Sequence, residues 1–113
     1  MKRQFCVVLG TLGLLFAGAA PAGTTCEGLI SSLAINTSGS LYVSIGYGTW
    51  AVCAVTSTSN GIAPETCRAW YAGLIAAQKA GHGVRFYFSN GTCQTIGNWV
   101  VATPNLYHMD LLN

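Results

Sequence analysis

The sequence predicts a small, mainly β domain with a single helix. Three segments alternate apolar and polar residues with the period of two that is typical of strands, at residues 41–46, 50–56 and 84–88. One longer segment, residues 64–80, carries the start and stop signals of a helix. Of the five cysteines, the four that follow the N-terminal leader form an even set, which predicts two disulfides in an exported domain.

The first 22 residues have the layout of a cleaved secretory signal. A short basic segment precedes an apolar run at residues 5–16, and small residues end at Ala22, where a signal peptidase would cut. The apolar run is too short for a membrane anchor, and no charged stop-transfer segment follows it. We therefore expect a bacterial signal peptide over residues 1–22 and a single mature domain over residues 23–113, secreted or periplasmic.

The composition excludes several classes of protein. With 51% hydrophobic and 7% charged residues, the chain is too apolar and too weakly charged to be disordered. The formal net charge of +2 falls to 0 once Lys2 and Arg3 leave with the signal, because three basic residues then stand against three acidic ones. A neutral domain attracts polyanions and anionic lipids only weakly, so we expect neither nucleic-acid binding nor membrane insertion.

The strands are separated by segments rich in turn-forming residues. Residues 37–40 are polar or glycine, residues 56–61 form a polar loop, and Pro104 interrupts the last apolar stretch. The predicted strands are residues 29–36, 41–46, 50–56 and 84–88, and a last strand or pair of strands at 96–102 and 106–112.

The helix is predicted over residues 64–80. Pro64 suits the first helical turn, Glu65 complements the helix dipole there, and Gly81 favours termination. The face expected to pack on the sheet carries Cys67, Trp70, Tyr71, Leu74 and Gln78.

The opposite face of this helix is almost free of charge. It lacks the Lys and Glu pairs of an ordinary solvent-facing helix, and its small side chains let a helix of another subunit approach closely. Alanine is also simply a good helix former, so both explanations stand at this point. The candidate subunit-contact residues are Ala69, Ala72, Gly73, Ala76 and Ala80.

The order of elements is three strands, one helix and then two or three strands. This is the order of an OB-fold, a small, partly open Greek-key barrel of five strands. A two-layer α+β sheet with the helix on one face is the alternative. Four cysteines allow three connectivities. This order favours Cys53–Cys67, between the third strand and the first helical turn, and Cys26–Cys93, between the start of the first strand and the turn after the fourth.

Catalytic and metal-binding patterns are scarce. The three acidic residues of the mature chain are far apart in sequence, no nucleophile-elbow motif surrounds a serine, and all four cysteines are expected to be paired. The sequence has no cysteine or histidine spacing of a metal site and no phosphate-binding loop. We therefore predict a binding protein and not an enzyme, without a cofactor or a metal.

Aromatic residues at a glycine-rich turn indicate a candidate ligand site. Tyr47 lies between two glycines with Trp50 close behind it, and Tyr42 and Ser44 fall on the polar side of the preceding strand. An aromatic ring stacks on the apolar face of a sugar, and hydroxyl groups hydrogen-bond to its edge. We predict that Tyr47 and Trp50 stack on a sugar ring and that Tyr42 and Ser44 orient it.

Two stretches resemble a known family. Residues 67–74 (CRAWYAGL) and 80–88 (AGHGVRFYF) resemble the helix and following strand of bacterial AB5 toxin binding subunits, in particular the subtilase-cytotoxin and typhoid-toxin B-subunit group. The resemblance implies an OB-fold, a homopentameric ring, binding of cell-surface glycans that are often sialylated, and a catalytic A subunit as a partner. The family's paired C-terminal cysteines are absent, and its sugar-contacting serine and acidic residue have no secure match around residues 26–32.

Together these observations predict a secreted glycan-binding subunit that forms a homo-oligomer and recognises carbohydrate on a cell surface. The alternative is a periplasmic or secreted protein-interaction module, such as an inhibitor or an envelope accessory protein, without glycan binding. The two differ in oligomeric state, because weak single-site sugar binding gains strength when several sites are linked.

Overall fold

The computed structural model describes residues 23–102 and 105–113, so the predicted signal peptide, residues 1–22, lies outside the described residues. The described chain contains one α-helix, one short 3-10 helix at Cys93–Thr95, and seven strands. In chain order the elements are β1 (Thr24–Leu29), β2 (Ser32–Ile35), β3 (Ser40–Ser44), β4 (Thr49–Ala54), α1 (Pro64–Ala80), β5 (Gly83–Phe88), β6 (Val100–Val101) and β7 (Leu106–Leu111).

The strands form two sheets. The first sheet has the order β1–β5–β7, with antiparallel neighbours throughout. The second sheet has the order β2–β3–β4–β6 and is antiparallel except for the parallel pair of β4 and β6. The described residues therefore form a mainly β fold with one α-helix, as predicted, arranged as two sheets without a closed barrel.

The first predicted strand, residues 29–36, corresponds to two strands in the structure. β1 begins at Thr24, and a two-residue break separates it from β2, so that the two strands join different sheets. Gly28 lets the end of β1 lie against the backbone of Ile45, because a Cβ atom at this position would overlap the Ile45 carbonyl oxygen. The prediction missed most of β1 because its residues are largely polar and only Cys26 is buried.

The last predicted strands are only partly strands. β7 (Leu106–Leu111) agrees with the predicted strand 106–112 to within one residue, but residues 96–102 contain only the two-residue β6. The reason is local backbone conformation, since Gly97 (φ 107°) and Trp99 (φ 59°) adopt left-handed angles that a strand does not contain.

The α-helix has the predicted bounds, Pro64–Ala80. Gly81 ends it in the left-handed conformation (φ 73°), and its N–H group donates to the Gln78 carbonyl oxygen at 3.3 Å. The Gln78 side chain was predicted to face the sheet but is exposed, since burial of its amide would need hydrogen-bond partners. The buried residues of α1 are Cys67, Leu74 and Ala77.

The hydrophobic core receives side chains from both sheets and from α1. Its largest fully buried aromatic side chains are Trp50 of β4 and Phe86 and Phe88 of β5. The Trp50 and Phe88 rings meet edge to face, with centroids 5.6 Å apart. These contacts join the two sheets, because β4 and β5 belong to different ones.

Both predicted disulfides are present. Cys26–Cys93 joins β1 to the 3-10 helix with a Cα–Cα distance of 5.7 Å, and Cys53–Cys67 joins β4 to α1 with 5.8 Å. Two disulfides indicate that the domain folds in an oxidising, extracytoplasmic environment. The helices in the described part of the chain are too short or too polar to cross a membrane.

Candidate functional site

The solvent-facing side of the second sheet, here called the outer face, carries aromatic and hydroxyl side chains. Along β3, Leu41 and Val43 are buried while Tyr42 and Ser44 point outward and are half-buried, as predicted from their alternation. Cross-strand pairing places seven outward residues in two rows, Ser32–Ser44–Thr49 and Ala34–Tyr42–Ala51–Val101.

The loop over residues 97–99 closes one end of the outer face. The Thr49 N–H group donates to Asn98 Oδ1 at 2.7 Å, and the Trp99 N–H group donates to the Thr49 carbonyl oxygen at 2.6 Å. Gly48 allows the loop to approach, since a Cβ atom there would lie 2.6 Å from the Gly97 carbonyl oxygen. The loop therefore has a defined position on the β3–β4 hairpin.

This loop presents Trp99 to solvent beside Tyr42. The Trp99 side chain is 64% exposed, and its ring centroid lies 5.3 Å from that of Tyr42 at an interplanar angle of 56°. Its positive φ of 59° is rare for a bulky residue and costs about 1–3 kcal/mol. Strain of this kind is typical of functional positions, where the surrounding hydrogen bonds maintain it.

Uncharged polar groups lie next to the two rings. Ser44 Oγ and Thr49 Oγ1 are 2.6 Å apart, and the Ser31 hydroxyl donates to the Ser44 carbonyl oxygen at 3.2 Å. The Asn98 side chain accepts the hydrogen bond from Thr49 through its Oδ1. Its Nδ2 group takes no part in that bond and is a separate hydrogen-bond donor. The outer face thus combines exposed aromatic surface with hydroxyl and amide groups.

The structure separates the four predicted ligand residues. Tyr42 and Ser44 belong to the outer face, and Tyr47 is 36% exposed. Trp50 is fully buried, its Nε1 donates to the Gly97 carbonyl oxygen at 3.2 Å, and it pairs with the buried Val43. Trp50 therefore cannot stack on a ligand, and its assignment to the sugar site is corrected.

Trp50 is buried because of its position in β4. The glycine-rich turn before Trp50 indicated exposure, but Trp50 and Val52 share the inward face of a strand with period two. The neighbouring Tyr47 ring is stacked on the Trp50 ring at a centroid distance of 6.2 Å. Tyr47 therefore lies over part of the core and presents only its other side.

Trp99 and Asn98 are candidate ligand residues that sequence reasoning did not select. The only local signal is the run Gly97, Asn98 and Trp99, turn-forming residues followed by an aromatic one. That run lies within residues 96–102, which the sequence predicted as part of the last strand or pair of strands. The contact of Trp99 with Tyr42 joins residues 57 positions apart (99 minus 42), so no sequence period reveals it.

A second polar cluster, here called the charged network, lies on the first sheet. Arg85 Nε donates to Glu27 Oε1 at 2.8 Å, and its Nη1 donates to the Tyr87 hydroxyl at 3.2 Å. The Tyr87 hydroxyl donates to Asp110 Oδ2 at 2.6 Å, and His108 Nε2 lies 2.7 Å from Asp110 Oδ1. These side chains bind one another across β1, β5 and β7, which identifies the network as a structural link.

The network perturbs the pKa values of its charged members. The Tyr87 hydroxyl, followed by Glu27, raises the pKa of Arg85 still further above its ordinary value. The Tyr87 hydroxyl, followed by His108, holds the pKa of Asp110 below its ordinary value. Both shifts favour the charged forms, so Asp110 is ionised and Arg85 is protonated at neutral pH.

Acid is expected to weaken the first sheet through Asp110. Because its folded pKa is below the unfolded value of about 3.9, the ionised carboxylate stabilises the fold above that pH. This stabilisation is lost as pH falls through the folded pKa. Urea unfolding measured from about pH 7 down to about pH 2 should show that the free energy of unfolding falls more steeply in the wild type than in Asp110→Asn. Equal slopes below about pH 4 would contradict the role of Asp110.

The helix face predicted to contact another subunit is partly used within the chain. A Cβ atom at Gly73 would lie 2.7 Å from Leu111 Cδ1, so this glycine serves the close approach of β7 to α1. Gly73 therefore has a packing role within the chain. A cavity of about 290 Å³ beside it is lined by Ala76, Ala80 and His82, among others. The predicted contact residues that remain exposed are Ala69, Ala72, Ala76 and Ala80.

Among the described residues, no three histidine, cysteine, aspartate or glutamate side chains are grouped so that they would hold a metal ion.

Comparison of the chain with protein-family models, curated proteins and solved structures gave no match. The assignment of a function therefore depends on the geometry of the outer face and on the chemistry of its side chains.

Proposed function

We propose that the protein is a secreted carbohydrate-binding module and that the outer face holds the sugar. One observation carries the proposal: the exposed Trp99 ring lies beside Tyr42 in a hydrogen-bonded loop, next to the Ser44 and Thr49 hydroxyls. The sugar's apolar C–H face would pack on the aromatic rings. Its hydroxyl groups would exchange hydrogen bonds with Ser44, Thr49 and the Asn98 amide.

The proposal extends to an OB-type architecture for the two sheets. β1 and β2 follow one another along the chain, and so do β6 and β7. If each pair is counted as one bent strand, the pairing order becomes 1-2-3-5-4-1, with the third and fifth strands parallel. In that scheme Tyr42, Ser44 and Thr49 of the outer face belong to strands two and three, and Trp99 belongs to the loop before strand five. These are the regions through which OB-folds bind oligosaccharides.

We expect Trp99→Ala to weaken glycan binding about tenfold or more, because the variant loses the main stacking surface. The protein should remain folded, since the Trp99 side chain is mostly exposed. The measurement is a glycan array probed with biotinylated mature protein, tetramerised on streptavidin so that avidity is the same for every variant. A fluorescence titration of the strongest glycan then gives the affinity.

The matched control for this variant is Tyr107→Ala. Tyr107 is 61% exposed, like Trp99, but lies on β7 of the first sheet. It should retain wild-type binding. Full binding by a folded Trp99→Ala protein, or an equal loss in both variants, would contradict the assignment of the outer face.

We further propose that the mature protein is a homo-oligomer, with five subunits as the resemblance implies. The exposed alanines of α1 support a close contact between helices. Light scattering of the wild type should give about five times the monomer mass. The Ala76→Arg variant should give the mass of a single subunit. Gln78→Arg adds the same charge at another exposed position of α1 and should leave the mass unchanged. A monomeric wild type would contradict the homo-oligomer. It would not bear on the sugar site, which the Trp99→Ala variant tests separately.

A second candidate is a protein-interaction module. Its support is the exposed apolar surface formed by Trp99 with Val100 and Val101, which are 41% and 45% exposed. A folded, tetramerised protein that binds no printed glycan would favour this candidate over the carbohydrate-binding module.

A further inference from the structure

We propose that the ligand of the outer face is a neutral saccharide and not a sialylated or sulfated one. This inference rests on the proposed carbohydrate site and adds the charge class of its ligand. It depends on where the described residues place their charges. Within residues 23–102 and 105–113, the aspartate, glutamate, lysine and arginine side chains are Glu27, Glu65, Arg68, Lys79, Arg85 and Asp110, and neither they nor the two histidines belong to the outer face.

Three of the six charges belong to the charged network on the first sheet. Arg85, the only basic residue of the network besides His108, is engaged by Glu27 at 2.8 Å and lies 3.9 Å from Asp110. Two carboxylates thus already neutralise its guanidinium. Gly23, the N-terminus after the predicted cleavage, lies beside Phe88 and Tyr107 of the same sheet. These groups offer no cation to the outer face.

The other three charges lie on α1. Arg68 reaches the end of the second sheet, where its Nη1 donates to the Val55 carbonyl oxygen, one residue beyond β4, at 2.6 Å. Val55 lies six residues beyond Thr49, which corresponds to roughly 20 Å of extended strand. Charge interactions are screened over about 8 Å at physiological salt, so Arg68 attracts an anion at the Ser44–Thr49 end only weakly.

A carboxylate or sulfate on the outer face would therefore meet only neutral donors. It would lose part of its hydration without gaining an ion pair, so hydrogen bonds from neutral donors would be its only compensation. A neutral sugar has no such cost, because its hydroxyl groups exchange hydrogen bonds with Ser44, Thr49 and Asn98. The expected ligand thus differs in charge from the sialylated glycans that the sequence resemblance implied.

The test is an array that prints each glycan with and without its terminal sialic acid or sulfate, probed with streptavidin-tetramerised mature protein. We expect the neutral member of each bound pair to bind as strongly as the anionic member or more strongly. Binding should also change by less than about twofold between about 50 mM and about 500 mM NaCl, because no ion pair is formed. Trp99→Ala, measured in parallel, shows whether binding uses the outer face.

The outcomes separate this inference from the proposed function. The protein could instead prefer sialylated or sulfated glycans and lose that binding both in high salt and in Trp99→Ala. This result would contradict the inference that the ligand is neutral and would support the carbohydrate site on the outer face. Binding that Trp99→Ala does not change would overturn the site and its ligand together. A folded protein that binds no printed glycan would do the same.

Discussion

Trp50→Ala is expected to lower the free energy of unfolding by about 3–5 kcal/mol, the usual cost of removing a large buried aromatic ring. Trp50 is fully buried, contacts Phe86 and Phe88 edge to face, and donates its indole N–H to the Gly97 carbonyl oxygen. Alanine would leave a cavity between the sheets and an unpaired carbonyl group. Such a loss is a large part of the stability of an ordinary domain.

Urea unfolding followed by far-ultraviolet circular dichroism measures this loss, with Trp99→Ala as the matched control. Both variants remove an indole, but Trp99 is 64% exposed, so its loss should stay below about 1 kcal/mol. Similar values for the two variants would mean that Trp50 is not a core residue. In that case Trp50 would have to be reconsidered as a ligand residue.

Removal of the Cys26–Cys93 disulfide by the double change to alanine is expected to cost about 4 kcal/mol. Its ends are 67 residues apart, and the entropy that a cross-link removes from the unfolded chain grows with loop length. The Cys53–Cys67 bridge spans 14 residues, so its removal should cost about 3 kcal/mol. Changing both partners together avoids a lone reactive thiol in the core.

Urea unfolding of the two double variants under identical conditions tests this order. The Cys26–Cys93 variant should have the lower midpoint, and each variant should retain the far-ultraviolet spectrum of the wild type if its remaining stability is positive. A smaller effect for Cys26–Cys93 than for Cys53–Cys67 would contradict the loop-length explanation. Reduction of the wild type with dithiothreitol should combine the two losses.

The elements with strong local signals were predictable from the sequence. α1 has the bounds that Pro64 and Gly81 indicated, because proline and glycine act on their own backbone and need no distant partner. β3, β4 and β5 were predictable for a related reason, since their alternating residues reflect one buried and one solvent-facing side. Both disulfides followed from the order of these elements.

The elements with weak local signals were missed or misplaced. Most of β1 is polar and becomes a strand through its antiparallel pairing with β5, a partner far along the chain. Residues 96–102 are apolar enough for a longer strand, but left-handed backbone angles at Gly97 and Trp99 limit it to β6. In the first case pairing with a distant strand outweighs local preference, and in the second hydrogen bonds to Thr49 position the loop over residues 97–99.

By itself the sequence determined the class of the fold, the helix and the two outward residues Tyr42 and Ser44, and it favoured the disulfide pairing that the structure contains. Only the tertiary structure decided that Trp50 belongs to the core and that Trp99 stands beside Tyr42. The physical reason is that local periodicity identifies the two sides of a strand. Which side is covered, and which distant loop meets it, depends on how the two sheets pack.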